Sequence, residues 1–178
     1  MFKNFAALFL FLLFLNSACA YDLSRKIGVG AIGNYAIPVF GHELNSVGGA
    51  DFGYGILLRY HRDPFFGVEL DLTRSEFSDT NIYFKNINLL GFWRFRGAND
   101  FTPVVGFGLG ITTIKYWVPN NAKLDLLGRA GVDYALNKSF SLAALAEYQY
   151  VSNFLGKMSS PAQVITPQIA LTYYFDVQ

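Results

Sequence analysis

In the stretch from Gln168 to Phe175 (QIALTYYF), the large apolar residues Ile169, Leu171, Tyr173 and Phe175 alternate with Gln168, Ala170, Thr172 and Tyr174. A period of two marks a β-strand with two unlike faces. The same alternation recurs along the chain, giving eight runs: 25–36, 51–61, 65–77, 82–95, 102–117, 123–136, 139–152 and 164–175. Glycine interrupts the apolar segments, and β-branched and aromatic residues dominate them, so no helical stripe forms. Beyond residue 20 no run reaches the ~18 apolar residues of a spanning helix. The chain is therefore expected to be all-β. What remains is whether the apolar face turns inward to a soluble core or outward to lipid.

The two faces can be followed run by run. One carries Ile27, Val29 and Ala31, then Phe52, Tyr54, Ile56, Leu58 and Tyr60, then Phe66, Val68, Leu70 and Leu72. It continues through Ile87, Leu89, Trp93 and Phe95, through Val105, Phe107, Leu109 and Ile111, and through Leu124, Leu126, Ala130, Val132 and Tyr134. Phe140, Leu142, Ala144, Ala146, Tyr148 and Tyr150 complete it, and none of these residues is charged. The other face alternates glycines (28, 30, 53, 55, 106, 108, 110) with Lys26, Arg59, Glu69, Asp71, Asn86, Asn88, Arg94, Asp125, Arg129, Asp133, Glu147, Gln149, Gln168 and Thr172.

A soluble barrel of the lipocalin type would coat its outer face with Lys and Glu. Here the polar face is crowded with glycine, which suits a narrow interior where side chains meet across a lumen. With 18 Phe and 11 Tyr in 178 residues and only 15% charge, the chain has more aromatic surface than its own core can hold, and the surplus must face something other than water. The aromatics also cluster by height. Tyr60, Phe66, Trp93, Phe95, Tyr134, Phe140, Tyr173 and Phe175 lie toward one end of the runs, and Phe52, Tyr54, Tyr83, Tyr116 or Trp117, Tyr148 and Tyr150 toward the other. Two aromatic girdles around an aliphatic band are the pattern of a barrel crossing a bilayer. Strands that meet hydrocarbon must close, because every backbone N–H and C=O needs a partner there.

The connections sort in the same way. Arg62-Asp63-Pro64, residues 96–101 and Asn137-Lys138 are short and turn-rich. Those at the other end (IPVFGHELNSVGGA, SDTN, VPNNA, NFLGKMSSPAQ) are longer or more polar. Short turns at one end and larger loops at the other are typical of bacterial outer-membrane barrels, and an even strand count puts both termini at the short-turn, periplasmic end.

Residues 1–20 (MFKNFAALFLFLLFLNSACA) are expected to be a secretory signal peptide, with basic Lys3, an apolar run over 5–15 and a small-residue site at Ala18-Cys19-Ala20. The run is too short to span a bilayer as a helix. Cleavage after Ala20 leaves one barrel domain, residues 21–178, without cysteine, and so without disulfides or a thiol site. Lipidation at Cys19 is the minority alternative, because Asn16 stands where lipoprotein precursors carry an aliphatic residue. Removing Lys3 leaves thirteen basic and thirteen acidic residues, a balance that excludes nucleic acid as a partner.

At this point the chain resembles the small eight-stranded outer-membrane β-barrels, the OmpA-like transmembrane domain and its OmpX- and OmpW-type relatives. The resemblance covers the whole chain and is chiefly architectural. Its most specific piece is the terminal strand, where Gln168, Ala170, Tyr173 and Phe175 follow the family's order of polar residue, small residue and two aromatics. Alanine replaces the usual glycine, and Asp176-Val177-Gln178 trail behind. The resemblance implies that the BAM assembly machinery reads this strand. It also implies contact with outer-membrane lipid and lipopolysaccharide. It covers the barrel alone, without the peptidoglycan-binding domain of OmpA proteins.

The chemistry available is limited. Lys26, Arg59, Arg94 and Arg129 face Glu69, Asp71, Asp125, Asp133 and Glu147 across the expected lumen. Charges in so narrow a space must be paired or wetted, so the leading expectation is an ion-pair network that plugs a non-enzymatic barrel with a structural or surface-interaction role. A narrow channel for small solutes or ions is the alternative, although a ring of one sign would favour it more. A lipid A-modifying enzyme comes third. Val151-Ser152-Asn153 resembles the deacylase site, but Tyr150 stands where that family has its catalytic His, leaving the serine unactivated. His42, in the first loop, and His61, beside a short turn, are read as polar loop or interface residues too far apart to share a metal. Glu69 and Asp71 share one strand face, and Arg59 is expected to answer both. Glycine repeats such as GFGLG precede no helix and are no phosphate loop. Pro167 is expected near the upper rim, at a bulge. No catalytic residue, cofactor or metal is expected, and the sequence names no extracellular ligand.

Overall fold

The computed structural model describes residues 23–40, 49–77, 83–95, 101–116, 118–152 and 161–176. They form eight strands: β1 Lys26–Phe40, β2 Asp51–His61, β3 Phe66–Glu76, β4 Tyr83–Arg94, β5 Phe101–Tyr116, β6 Val118–Ala135, β7 Phe140–Val151 and β8 Ala162–Asp176. Each strand pairs antiparallel with the next, and β8 pairs with β1 to close an up-and-down barrel.

The register fixes the dimensions. Register partners lead from Ile27 through Tyr60, Val68, Gly91, Phe107, Gly128, Tyr148 and Ile165 back to β1 at Ile37, ten residues further along. A shear of ten over eight strands implies a tilt of about 40° and a backbone radius of about 8 Å. At that tilt the 11 residues of β2 or β3 rise about 27 Å, close to the ~25 Å apolar band of an outer-membrane barrel.

The alternation seen in the sequence is the alternation of the two faces. Every residue assigned above to the uncharged face points outward, with Phe52 75%, Ile169 63% and Phe107 61% exposed, whereas Asp71, Asn88 and Thr172 are wholly buried in the lumen. Neighbouring strands bring the aromatics together: Phe66 meets Trp93, Phe101 meets Tyr134 and Phe140 meets Tyr173, with centroids 5.4, 4.6 and 4.9 Å apart. These pairs lie at the short-turn end. Two of the short turns are built alike. Asp63 accepts from the N–H groups of Phe65 and Phe66 at 2.8 Å, and Asn137 from those of Ser139 and Phe140 at 2.9 and 3.0 Å. Asp and Asn suit this role because their short side chains reach the backbone two and three residues on.

Several expectations change. β1 runs on through residues 37–40, and β6 starts at Val118, so VPNNA is strand instead of loop, paired to β5 with a register shift between Ile114 and Tyr116. Pro167 lies inside β8 at no bulge, because Asn34↔Gln168 and Ile37↔Ile165 keep one register on either side of it. Its missing N–H coincides with an interruption in the β1–β8 pairing opposite Tyr35, while it still pairs with Ala146 on β7. Residues 1–20 with Cys19, the loop holding His42, and Asn153 lie outside the described residues.

The charged lumen as candidate functional site

Closure of the barrel brings charges from opposite walls within reach of one another. Arg59 on β2 and Glu69 on β3 are register partners, as are Arg129 on β6 and Glu147 on β7. Arg59 donates through Nε to Glu69 Oε2 at 2.6 Å, and Arg129 through Nε to Glu147 Oε2 at 3.0 Å. Arg129 also crosses the lumen: its Nη1 contacts the other oxygen of Glu69, and its Nη2 donates to Asp71 at 2.7 Å and contacts Glu147. Glu69 thus joins both guanidinium groups. Arg59 extends the cluster downward, to Asp133 at 3.4 Å and to the Tyr174 hydroxyl at 3.0 Å. All seven side chains are buried. Arg59 therefore does not answer both acids of β3, as the sequence led one to expect; Asp71 is held by Arg129 from the far wall, and only closure reveals that partner.

The nine charges expected to form one network divide. Arg59, Arg129, Glu69, Asp71, Glu147 and Asp133 make the central cluster. Asp125 lies nearer the loops in a belt of neutral partners: Gln149 donates to it at 2.8 Å and to Thr112 at 2.7 Å, and Thr112 contacts both Asp125 and Asn86. Asn86 in turn donates to Thr73 at 3.2 Å, so the belt crosses β3 to β7. Lys26 sits at the turn end, 3.3 Å from Asp176. Arg94 is buried at the turn end of β4.

Buried apolar groups flank the polar column at both ends. Toward the loops, Ala36, Phe77, Phe84, Val151, Ala162 and Val164 form a buried roof, with the Phe77 and Phe84 rings edge-to-face at 4.7 Å. At the turn end Phe92 lies under Arg59, whose guanidinium carbon is 5.0 Å from the ring centre. His61 is wholly buried there, 5.1 Å from Phe92 and 5.4 Å from Tyr174, which corrects its reading as an interface residue. It falls on the inward phase of β2, the signal that could have located it. Glycine makes room for this floor. A Cβ at Gly28 would come 2.5 Å from the Tyr174 ring, closer than any real contact. A void of about 20 Å³ between Arg59, Glu69, Phe92 and Arg129 has room for one water and no more.

Ser152 Oγ donates to the Leu124 carbonyl at 2.9 Å, and the residue lies in a turn beyond β7. In the terminal strand, Gln168 and Ala170 face the lumen while Tyr173 and Phe175 face outward. Among the described residues no cluster of three or more His, Cys, Asp or Glu could hold a metal.

Residues 5–175 match the family described as outer membrane protein beta-barrel domain. The chain belongs to this family. It is similar in fold to the N-terminal β-barrel domain of Pseudomonas aeruginosa OprF, at 14% identity and a TM-score of 0.62 over 85% of this chain and 98% of that one. It is also similar to Neisserial surface protein A, with 16% identity, TM-score 0.60 and 85% and 97% covered. A third likeness is to the outer membrane protein OprG of Pseudomonas aeruginosa, with 15% identity, TM-score 0.58 and 86% and 97% covered. No curated protein sequence matches the chain. At such identities the shared property is the fold, and membership of the outer membrane β-barrel family assigns the apolar exterior to lipid.

Proposed function

We propose that this chain is a non-enzymatic outer-membrane barrel whose lumen is closed, serving as a structural or surface-interaction element of the membrane. The observation that carries the reading is Arg129, which ties β3 to β6 and β7 through Glu69, Asp71 and Glu147. The buried Phe77–Phe84 cluster above it and the Phe92–His61–Tyr174 cluster below it support the same reading. A barrel of this size is filled by its own side chains. The non-enzymatic reading is supported by Ser152, whose hydroxyl is engaged by a backbone carbonyl, with Tyr150 where a base would stand.

On this reading residues 1–20 direct export and are removed after Ala20, the short turns face the periplasm, and BAM inserts the mature chain among outer-membrane lipid and lipopolysaccharide. In planar bilayers the refolded protein is expected to show no stable single-channel openings. Sustained conductance steps in the unmodified protein would instead favour a narrow channel. Incubation with lipopolysaccharide is expected to leave lipid A unchanged in mass, and loss of an acyl chain would sink the non-enzymatic reading. Removing the outward aromatic Phe175 by substitution with alanine is expected to reduce outer-membrane assembly severalfold at unchanged synthesis, read as the heat-modifiable fraction in membranes. Equal yields would remove the terminal strand from the recognition role.

A further inference from the structure

Among the described side chains on the outward faces of the strands, charge is confined to one place. It consists of Arg74 and Glu76 on β3 and Lys85 on β4, all near the loop end. Arg74 and Lys85 are register partners. Like charges directly opposed across an antiparallel pair, with Cβ atoms ~5 Å apart, destabilise it, and on a lipid-facing surface the cost rises with depth. An anion beside such a pair offsets that cost.

Glu76 does only part of this. It lies 2.7 Å from Arg74, while Lys85 has no carboxylate partner among the described residues. The Arg74 guanidinium is held over the Tyr83 ring at 4.4 Å, with Lys85 Nζ 5.7 Å from the same ring. Arg74 Nε is buried and has no hydrogen-bond partner among the described residues. The trio keeps one net positive charge, and the Arg74 side chain as a whole remains 37% exposed.

The surroundings define what would fit. Tyr54, Arg74, Lys85 and Thr113 form one register row across β2 to β5. Two residues nearer mid-membrane on each strand lies the row Ile56, Leu72, Ile87 and Ile111. A groove of about 700 Å³ runs over both rows. Cations above an aliphatic trough match a lipid with a phosphate at its head. Arg takes phosphate oxygens through its fork, and Lys supplies a second point charge.

We infer that Arg74 and Lys85 form a binding site for the phosphate of a membrane lipid in the loop-end leaflet, with its acyl chains on Ile56, Leu72 and Ile87. This site rests on the lipid-embedded reading of the barrel. The test is native mass spectrometry of the refolded full chain with diphosphoryl lipid A and with its dephosphorylated form. The unmodified protein is expected to retain the diphosphoryl form preferentially, and Arg74→Gln with Lys85→Gln to weaken retention about tenfold. Glu76→Gln is expected to strengthen it, because it removes the carboxylate that competes for Arg74. Millimolar inorganic phosphate is expected to leave the lipid in place; displacement by phosphate alone would mean a free-anion site and overturn the lipid assignment. Retention independent of the two cations in a heat-modifiable barrel would overturn the site while sparing the embedded reading. Loss of heat-modifiable mobility in the unmodified protein would sink that reading and the site with it.

Discussion

Replacing Arg129 by alanine is expected to lower the stability of the refolded barrel by about 3–5 kcal/mol, the range for removing one partner of a buried ion pair. The size follows from what remains. Glu69 and Asp71 of β3 and Glu147 of β7 converge on the guanidinium, and without it three buried carboxylates crowd a narrow space. Glu69 keeps Arg59; the other two lose the ion-pair partner described here. Urea unfolding followed by heat-modifiable gel mobility measures the loss, and a shift below about 1 kcal/mol would mean the cluster is wetted and weak. A second arm separates charge from packing. Arg129→Met combined with Asp71→Asn and Glu147→Gln is expected to regain much of the stability, because polar and apolar groups replace charges that would otherwise stand unpaired. The single alanine variant is also the one in which openings should first appear in planar bilayers, since Arg129 holds carboxylates of β3 and β7 together across the lumen.

How much of this could be read from the chain depended on whether the information was local. The outward set was legible because a period of two needs only neighbours along one strand, and a closed barrel keeps that phase in all eight. Strand ends were less legible. The 118–122 stretch contains Pro119, Asn120 and Asn121, residues that punctuate loops, yet pairing with β5 carries it into β6 as strand. His61 was misplaced by its nearness to a turn, although its parity put it inside. The pairing of charges was least legible. Arg129 and Asp71 lie 58 residues apart in sequence and on opposite walls of the barrel, so only shear and closure bring them together. The apolar roof was hidden for another reason. Phe77, Phe84 and Val164 occupy inward positions that the polar character of the neighbouring inward residues obscured. Arg74 and Lys85 broke the rule of an uncharged exterior, and as departures from a pattern they drew no attention until register set them face to face.

The orientation of the apolar face, where the sequence argument began, is open to a single substitution with a large effect. Leu89 lies near mid-height on β4, points outward and is 57% exposed, with Leu70 and Leu109 as its register partners on either side. Arginine at such a position is expected to cost about 2–4 kcal/mol in a bilayer, falling toward zero near the interfaces. The sign distinguishes two physical worlds. A barrel whose exterior met water would gain solubility from the same change and lose almost nothing, because an exposed leucine contributes little to its fold. The unfolding free energy of Leu89→Arg in lipid vesicles should therefore fall by several times the loss seen for arginine at Phe101, at the turn-end edge of β5, where the side chain can reach the headgroups. Equal effects at the two depths would remove the hydrocarbon from the argument. A depth-dependent loss cannot be produced by packing alone, since both positions face away from the lumen and neither touches the charge cluster.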